Sequence, residues 1–128
     1  MAGTKVFPRS PVAAGEARRF VTAALGKHPA LDDALLVTSE LVANSVLHAH
    51  DASSVWVEVC AGGACVRIDV WDDGSAGVPH LRDGADCGAE GGRGLQLINA
   101  LAWRWGFWRS PGRTCCWAEI AAPCSECS

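Results

Sequence analysis

No apolar run in this 128-residue sequence is long enough to span a membrane, because charges interrupt each one within a few residues. No apolar h-region stands at the N-terminus, so no secretion signal is expected. No basic excess exists either. Lys and Arg total 11 against 14 Asp and Glu, a formal charge of −3, which excludes a strongly basic nucleic-acid binder. The acidic excess is equally too small for a disordered acidic tail protein. Internal repeats, low-complexity tracts and interdomain linkers are all missing. The expectation is one domain over residues 1–128, with a core from about 5 to 121 and a flexible tail at 122–128. The seven cysteines are odd in number and follow no disulfide framework. Cys124 and Cys127 form a C-x-x-C pair with no helix start behind it and no second ligand pair, the pattern of a frayed tail. Cys60 and Cys65 flank a tight turn, where a disulfide could close on oxidation. The thiols are otherwise expected to be reduced, in the cytoplasm.

Hydrophobic residues make up 49% of the chain, enough for a core. A short edge strand is expected around Lys5–Pro8. Helical periodicity follows from Val12 to Leu25 and stops at Gly26 and Pro29. Asp32 reads as the N-cap of a second helix running to about Ala49, with Leu35, Val42, Val46 and Ala49 as its core face. On its other side Glu40, Asn44 and His48 lie at i, i+4 and i+8, a polar row among Leu36, Val37, Leu41 and Leu47. Two alternating strands come next, Ser54–Cys60 and Cys65–Asp72. A Gly62-Gly63 turn would pair Glu58 with Arg67. Period two puts Asp72 on the side of Val66, Ile68 and Val70, so its carboxylate should be partly buried, while Asp73 points away. Residues 73–94 read as a long loop. A helix is expected at Leu95–Leu101, behind Gly91-Gly92-Arg93-Gly94. A tryptophan-rich hairpin, Trp103–Trp108 with Arg113–Ala121, closes the chain. The fold class is therefore α/β: a two-layer sandwich with a mostly antiparallel sheet and helices on one face.

Three features converge on nucleotide chemistry. A helical carboxylate, Glu40, can deprotonate a hydroxyl near a phosphate, and Asn44 one turn on offers a hard oxygen to Mg²⁺. The Asp72-x-Gly74 turn can accept an exocyclic amine and admit a flat ring to the backbone. Glycines opening a helix present amide N–H groups to phosphate. A base, a divalent-ion ligand, a purine reader and a phosphate cradle together describe an ATP site.

The stretch Glu40-Leu41-Val42-Ala43-Asn44-Ser45-Val46-Leu47-His48-Ala49 resembles the N box of the histidine-kinase-like ATPase superfamily, which has the Bergerat ATP-binding fold. The whole chain is similar to its small anti-sigma-factor branch of serine protein kinases. This resemblance implies Glu40 as general base, Asn44 as Mg²⁺ ligand and Asp72 as adenine reader beside Gly74. It implies Gly92, Arg93, Gly94 and Leu95 at the phosphates and Thr114 at the nucleotide, although Arg113 separates Thr114 from Gly112. ATP and Mg²⁺ are the implied cofactors. An anti-anti-sigma antagonist, a sigma factor and a second copy of the chain are the implied partners; nucleic acid and membrane are not. Two departures stand out. Ala76 occupies a position where the family pattern has Gly, and the lid from Val78 to Glu90 is short, with Arg82 its main basic residue. The expected function is an anti-sigma factor with serine/threonine kinase activity. A nucleotide-binding switch without efficient catalysis is the alternative. A histidine-kinase catalytic domain lacks its phosphoacceptor helix pair here, and an inert two-layer domain would bind no nucleotide. Asp72→Asn should weaken ATP binding, and Asp73→Asn should leave it nearly intact.

Overall fold

The computed structural model describes residues 2–48, 52–74 and 96–121. They form β1 (Ala2–Pro8), α1 (Ala13–Leu25), α2 (Leu31–His48), β2 (Ser54–Gly62), β3 (Cys65–Asp72), β4 (Ala102–Ser110) and β5 (Arg113–Ile120). Residues 96–101 are helical. The sheet runs β1-β2-β3-β5-β4, and every neighbouring pair is antiparallel. Both helices pack on one face of it, giving the two-layer α/β sandwich read from the sequence. The lid and the Gly92–Leu95 box lie outside the described residues. Among the described residues no helix is long and apolar enough to cross a membrane.

Strand alternation builds the inner layer. Val55, Val57 and Val59 on β2 and Val66, Ile68 and Val70 on β3 are fully buried against the helices. Each such side chain contributes about 1.5–3 kcal/mol of transfer free energy. In α1, Ala13, Ala17, Val21 and Leu25 repeat every fourth residue and form the buried stripe. Gly26 ends the helix at φ 58°, where its N–H returns to the Thr22 carbonyl at 2.9 Å.

Several local expectations are corrected. Asp32 lies inside the first turn of α2 with Asp33, so it complements the helix dipole rather than capping the helix. The buried side of α2 is Ala34, Val37, Leu41 and Val42; Leu35 and Val46 are partly buried, and Leu36 and Leu47 are exposed. This helix is apolar almost all round, so periodicity alone does not choose its core face. The β2–β3 turn centres on Gly63-Ala64, with Gly63 at φ 55°. That one-residue shift of the turn pairs Glu58 with Asp69 and Cys60 with Arg67. Cys65 faces Gly62 across the turn and is free, whereas Cys60 is disulfide-bonded. The Cys60–Cys65 bridge is therefore not made, and the thiols are not all reduced. The partner of Cys60 lies outside the described residues.

The outer sheet face carries aromatic and ionic groups. Trp56 stacks on Trp71 with centroids 4.6 Å apart, and the Arg113 guanidinium lies 4.4 Å from the Trp71 ring. Gly106 leaves room for the Trp117 indole, which a Cβ there would meet at 3.1 Å. Trp103 and Trp108 are exposed on β4. Glu119 is 0% exposed. Arg104 Nε reaches its Oε1 at 2.8 Å, and Arg67 Nη1 reaches its Oε2 at 3.0 Å. A carboxylate this buried is tolerable only because two guanidinium groups meet it. Glu119→Ala removes the carboxylate that Arg67 and Arg104 share, while Arg67 keeps Asp69 at 3.1 Å; it should cost about 1.5–3 kcal/mol, the scale of hydrogen bonds to charged groups, read by urea denaturation, and a loss under about 1 kcal/mol, the range of an exposed pair, would contradict this account.

Candidate nucleotide site

The end of β3 is where the two layers carry chemistry. Asp72 falls on the inner face at 5% exposure, as the alternation of β3 requires. Its Oδ1 accepts the Gly74 N–H at 3.0 Å. That turn bends the backbone over the carboxylate and buries Gly74 beside it. Thr114 is the cross-strand partner of Asp72 on β5. The Cys116 thiol follows on the same inner face, its pKa pushed up to about 12 by burial and by the Asp72 carboxylate. Cys115, on the outer face, is pushed up further by burial and by Asp69. Both stay protonated at neutral pH, so neither is a ready nucleophile.

Glu40 and Asn44 stand one turn apart on α2, both half-buried, beside the buried Val37 and Leu41. Chain connectivity sets which end of the sheet they occupy. α2 ends at His48 and β2 begins at Ser54, and Val55 pairs with Asp72. The C-terminal turns of α2 and the end of β3 therefore lie at the same end of the sandwich. Of the sequence-predicted residues, Asp72, Gly74 and Thr114 come together at the end of β3, and Glu40 and Asn44 lie on α2. Gly92, Arg93, Gly94 and Leu95, with Ala76, lie outside the described residues. His48 lies on the same helix, but its side chain is outside them too.

Among the described residues no group of three or more His, Cys, Asp or Glu is poised for a metal. Among the described residues, α2 offers the Asn44 amide oxygen and, one turn before it, the Glu40 carboxylate. Such a sparse set suits Mg²⁺, which keeps several waters and takes substrate phosphates as ligands. It does not suit a metal held wholly by protein.

Asp73 has a role that sequence parity missed. It points outward, as expected, but its Oδ1 accepts the Ser53 N–H at 2.8 Å and the Ser54 N–H at 3.1 Å. Its Oδ2 accepts the Ser53 hydroxyl at 2.6 Å. The Ser53 hydroxyl and these amides hold its carboxyl below the usual range. This clasp ties the entry of β2 to the exit of β3, so Asp73 is not a neutral control for Asp72. The available signal was the Ser53-Ser54 pair at the start of a strand that begins opposite Asp72.

Comparison with known proteins follows the same lines. Residues 7–120 match the family model described as the histidine kinase-like ATPase domain. The structure of the RsbU and RsbW domains of Rv1364c from Mycobacterium tuberculosis superposes with a TM-score of 0.67 at 21% identity, over 96% of this chain and 33% of that one. The histidine kinase domain of the blue-light activated histidine kinase of Erythrobacter litoralis EL346 superposes with a TM-score of 0.54 at 21% identity, over 89% of this chain and 61% of that one. These similarities show a shared fold, and this chain spans less than two thirds of either protein chain. No curated protein matches by sequence.

Asp73→Ala should lower the Tm by roughly 3–6 °C, the scale of a lost cap worth about 1 kcal/mol. Because the folded pKa lies below the ordinary carboxylate value, the stabilisation is present above that ordinary value and fades as pH falls through the folded one. The difference in Tm between wild type and variant should therefore shrink on acidification. A difference that stays constant from neutral pH to below pH ~3, under the ordinary carboxylate range, would contradict the clasp.

Proposed function

This chain belongs to the family of histidine kinase-like ATPase domains, and we propose that it is an ATP-binding anti-sigma factor that phosphorylates serine or threonine on an anti-anti-sigma antagonist. The observation that carries the reading is the buried Asp72 carboxylate, bracketed by the Gly74 amide and Thr114, at the end of the sandwich reached by the Glu40–Asn44 face of α2. A carboxylate there offers an acceptor to the adenine amine. Buried in an apolar layer, it discriminates strongly against a base lacking that donor. The similarity to a structure containing an RsbW domain supports the regulatory branch.

In this reading Thr114 lies beside the base, and Gly92, Arg93, Gly94 and Leu95 contact the phosphates. Asn44 holds Mg²⁺, which neutralises charge on the phosphate oxygens when bound. Glu40 takes the proton of the acceptor hydroxyl as that oxygen bonds to the γ-phosphorus. The bond from γ-phosphorus to the bridging oxygen breaks, and ADP leaves with that electron pair. A sigma factor is the second partner, and a homodimer is the proposed assembly. A cytoplasmic location follows from the same reading, and the Cys60 disulfide would there be open to reduction. The proposed unit is one domain over residues 1–128.

Ala76 favours a second reading, a nucleotide-dependent switch that binds partners without efficient transfer, because a Cβ restricts the backbone where the family pattern has glycine. Labelled ATP, Mg²⁺ and an anti-anti-sigma protein separate the two. The expected outcome is label on serine or threonine, reduced about 10²–10⁴-fold in Glu40→Gln with ATP affinity retained. ATP and partner binding without transfer, in Mg²⁺ or Mn²⁺, would establish the switch instead. Label on histidine would contradict both.

A further inference from the structure

Cys60 is disulfide-bonded, while Cys65, Cys115 and Cys116 are free. The chain has seven cysteines, so within one chain the partner is Cys87, Cys124 or Cys127. Cys60 shares the outer face of β2 with Trp56 and Glu58, because Val55, Val57 and Val59 take the inner one. The bond is therefore made on the side of the sheet that carries no helix.

Strand register narrows the choice. Cys60 pairs with Arg67 on β3, and Arg67 pairs with Glu119 on β5. Ile120, the last residue of β5, pairs with Val66, which pairs with Ala61. The chain thus leaves β5 one row from Cys60, with only β3 between. Two strand spacings are about 10 Å. Four extended residues beyond Ile120 span up to about 14 Å, so Cys124 is the first cysteine of the tail within reach, and Cys127 is within reach as well. The segment that holds Cys87 has its ends elsewhere. It leaves from Gly74, past Asp72, which pairs with Val55, and Val55 is five residues, about 17 Å, from Cys60 along β2. It returns at the helix whose Ile98 lies in the core, on the inner face.

The exit from β5 is an independent sign. Ala121 has φ 77°, the one positive φ at a non-glycine among the described residues. A Cβ is disfavoured there, and such a conformation persists where its surroundings enforce it. It turns the chain out of the strand, and Pro123, which cannot donate to a ladder, follows two residues later.

We propose that residues 122–128 form a redox-released strap, held across the outer face of β3 by a disulfide from Cys60 to the Cys124/Cys127 pair. Closing it joins two thiol sulfurs, and their two electrons and two protons pass to a small disulfide oxidant, which becomes two thiols. A dithiol reductant opens it. One thiolate attacks a sulfur of the bond, the second resolves the mixed disulfide, the reductant leaves as a disulfide, and both protein thiols are regenerated. Release uncovers the Arg67 guanidinium and the Trp117 ring 4.5 Å from it. The strap is independent of the nucleotide reading, because Cys60 and Asp72 stand at opposite ends of the β2–β3 pair.

Peptide mapping of the full chain, alkylated without reductant and cut with trypsin, tests the link. Residues 28–67 should be joined to residues 114–128. Cys60→Ser should remove the joined pair, and Cys87→Ser should keep it. Hydrogen exchange then reads the strap: residues 121–128 should exchange at least about tenfold faster after reduction. A joined pair of residues 28–67 with residues 83–93, a chain-to-chain link on a non-reducing gel, or no link overturns the proposal. Equal exchange of residues 121–128 in the oxidised and reduced chains also overturns it.

Discussion

A carboxylate can remain buried at the inner end of β3 only while the backbone just beyond it is held still. Asp73 supplies that restraint. Three hydrogen bonds to Ser53 and Ser54 fix the exit of β3 against the entry of β2. The two consecutive aspartates thus divide the work: the outward one clamps the strands, and the inward one accepts the Gly74 N–H on the buried side of the sheet. The β2–β3 register, set by Gly63 at the far turn, is the other half of the constraint. A one-residue slip would turn Asp72 to the outer face and expose the valine row.

The two faces of the sheet are stabilised differently. The inner face is a dry layer of Val, Ile and Ala under two helices whose contact stripes use small residues, notably Ala13, Ala17 and Ala34. Small side chains bring α1 and α2 close to the sheet. The outer face relies on stacked tryptophans and on the Arg67–Glu119–Arg104 group. Burying that carboxylate gains little over a hydrophobic replacement of equal shape, but breaking it is expensive. The group fixes the relative positions of β3, β5 and β4, and so supports the strand that carries Thr114.

Much of this was legible in the sequence. The bounds Cys65–Asp72 coincide with β3, because Val66, Ile68 and Val70 alternate with polar residues without a break. The same parity put Asp72 inward. The helix carrying Glu40 and Asn44 was legible from its length and stops. Its buried side was not, since leucines and valines surround it and only packing against α1 and the sheet selects Val37 and Leu41. The strand register was missed by a one-residue shift in the turn, because two adjacent glycines, Gly62 and Gly63, offer equivalent turn sites until the cross-strand pairs choose. The Asp73 clasp was missed because it joins residues twenty apart in sequence through side chains that also read as ordinary turn formers. Membership of the ATPase family was legible from the N-box pattern, and the match over residues 7–120 bears it out.

The central claim is that Asp72 reads a nucleotide base. Calorimetric titration of ATP into wild type and Asp72→Asn tests it most directly, with circular dichroism confirming an unchanged fold. Asparagine keeps the size and one acceptor but turns a donor toward the donor of adenine. The account predicts ATP binding by the wild type and about 5- to 150-fold weaker binding by the variant, the cost of an unmade buried hydrogen bond of about 1–3 kcal/mol. Absence of ATP binding by the wild type, or equal affinity in the folded variant, would contradict it.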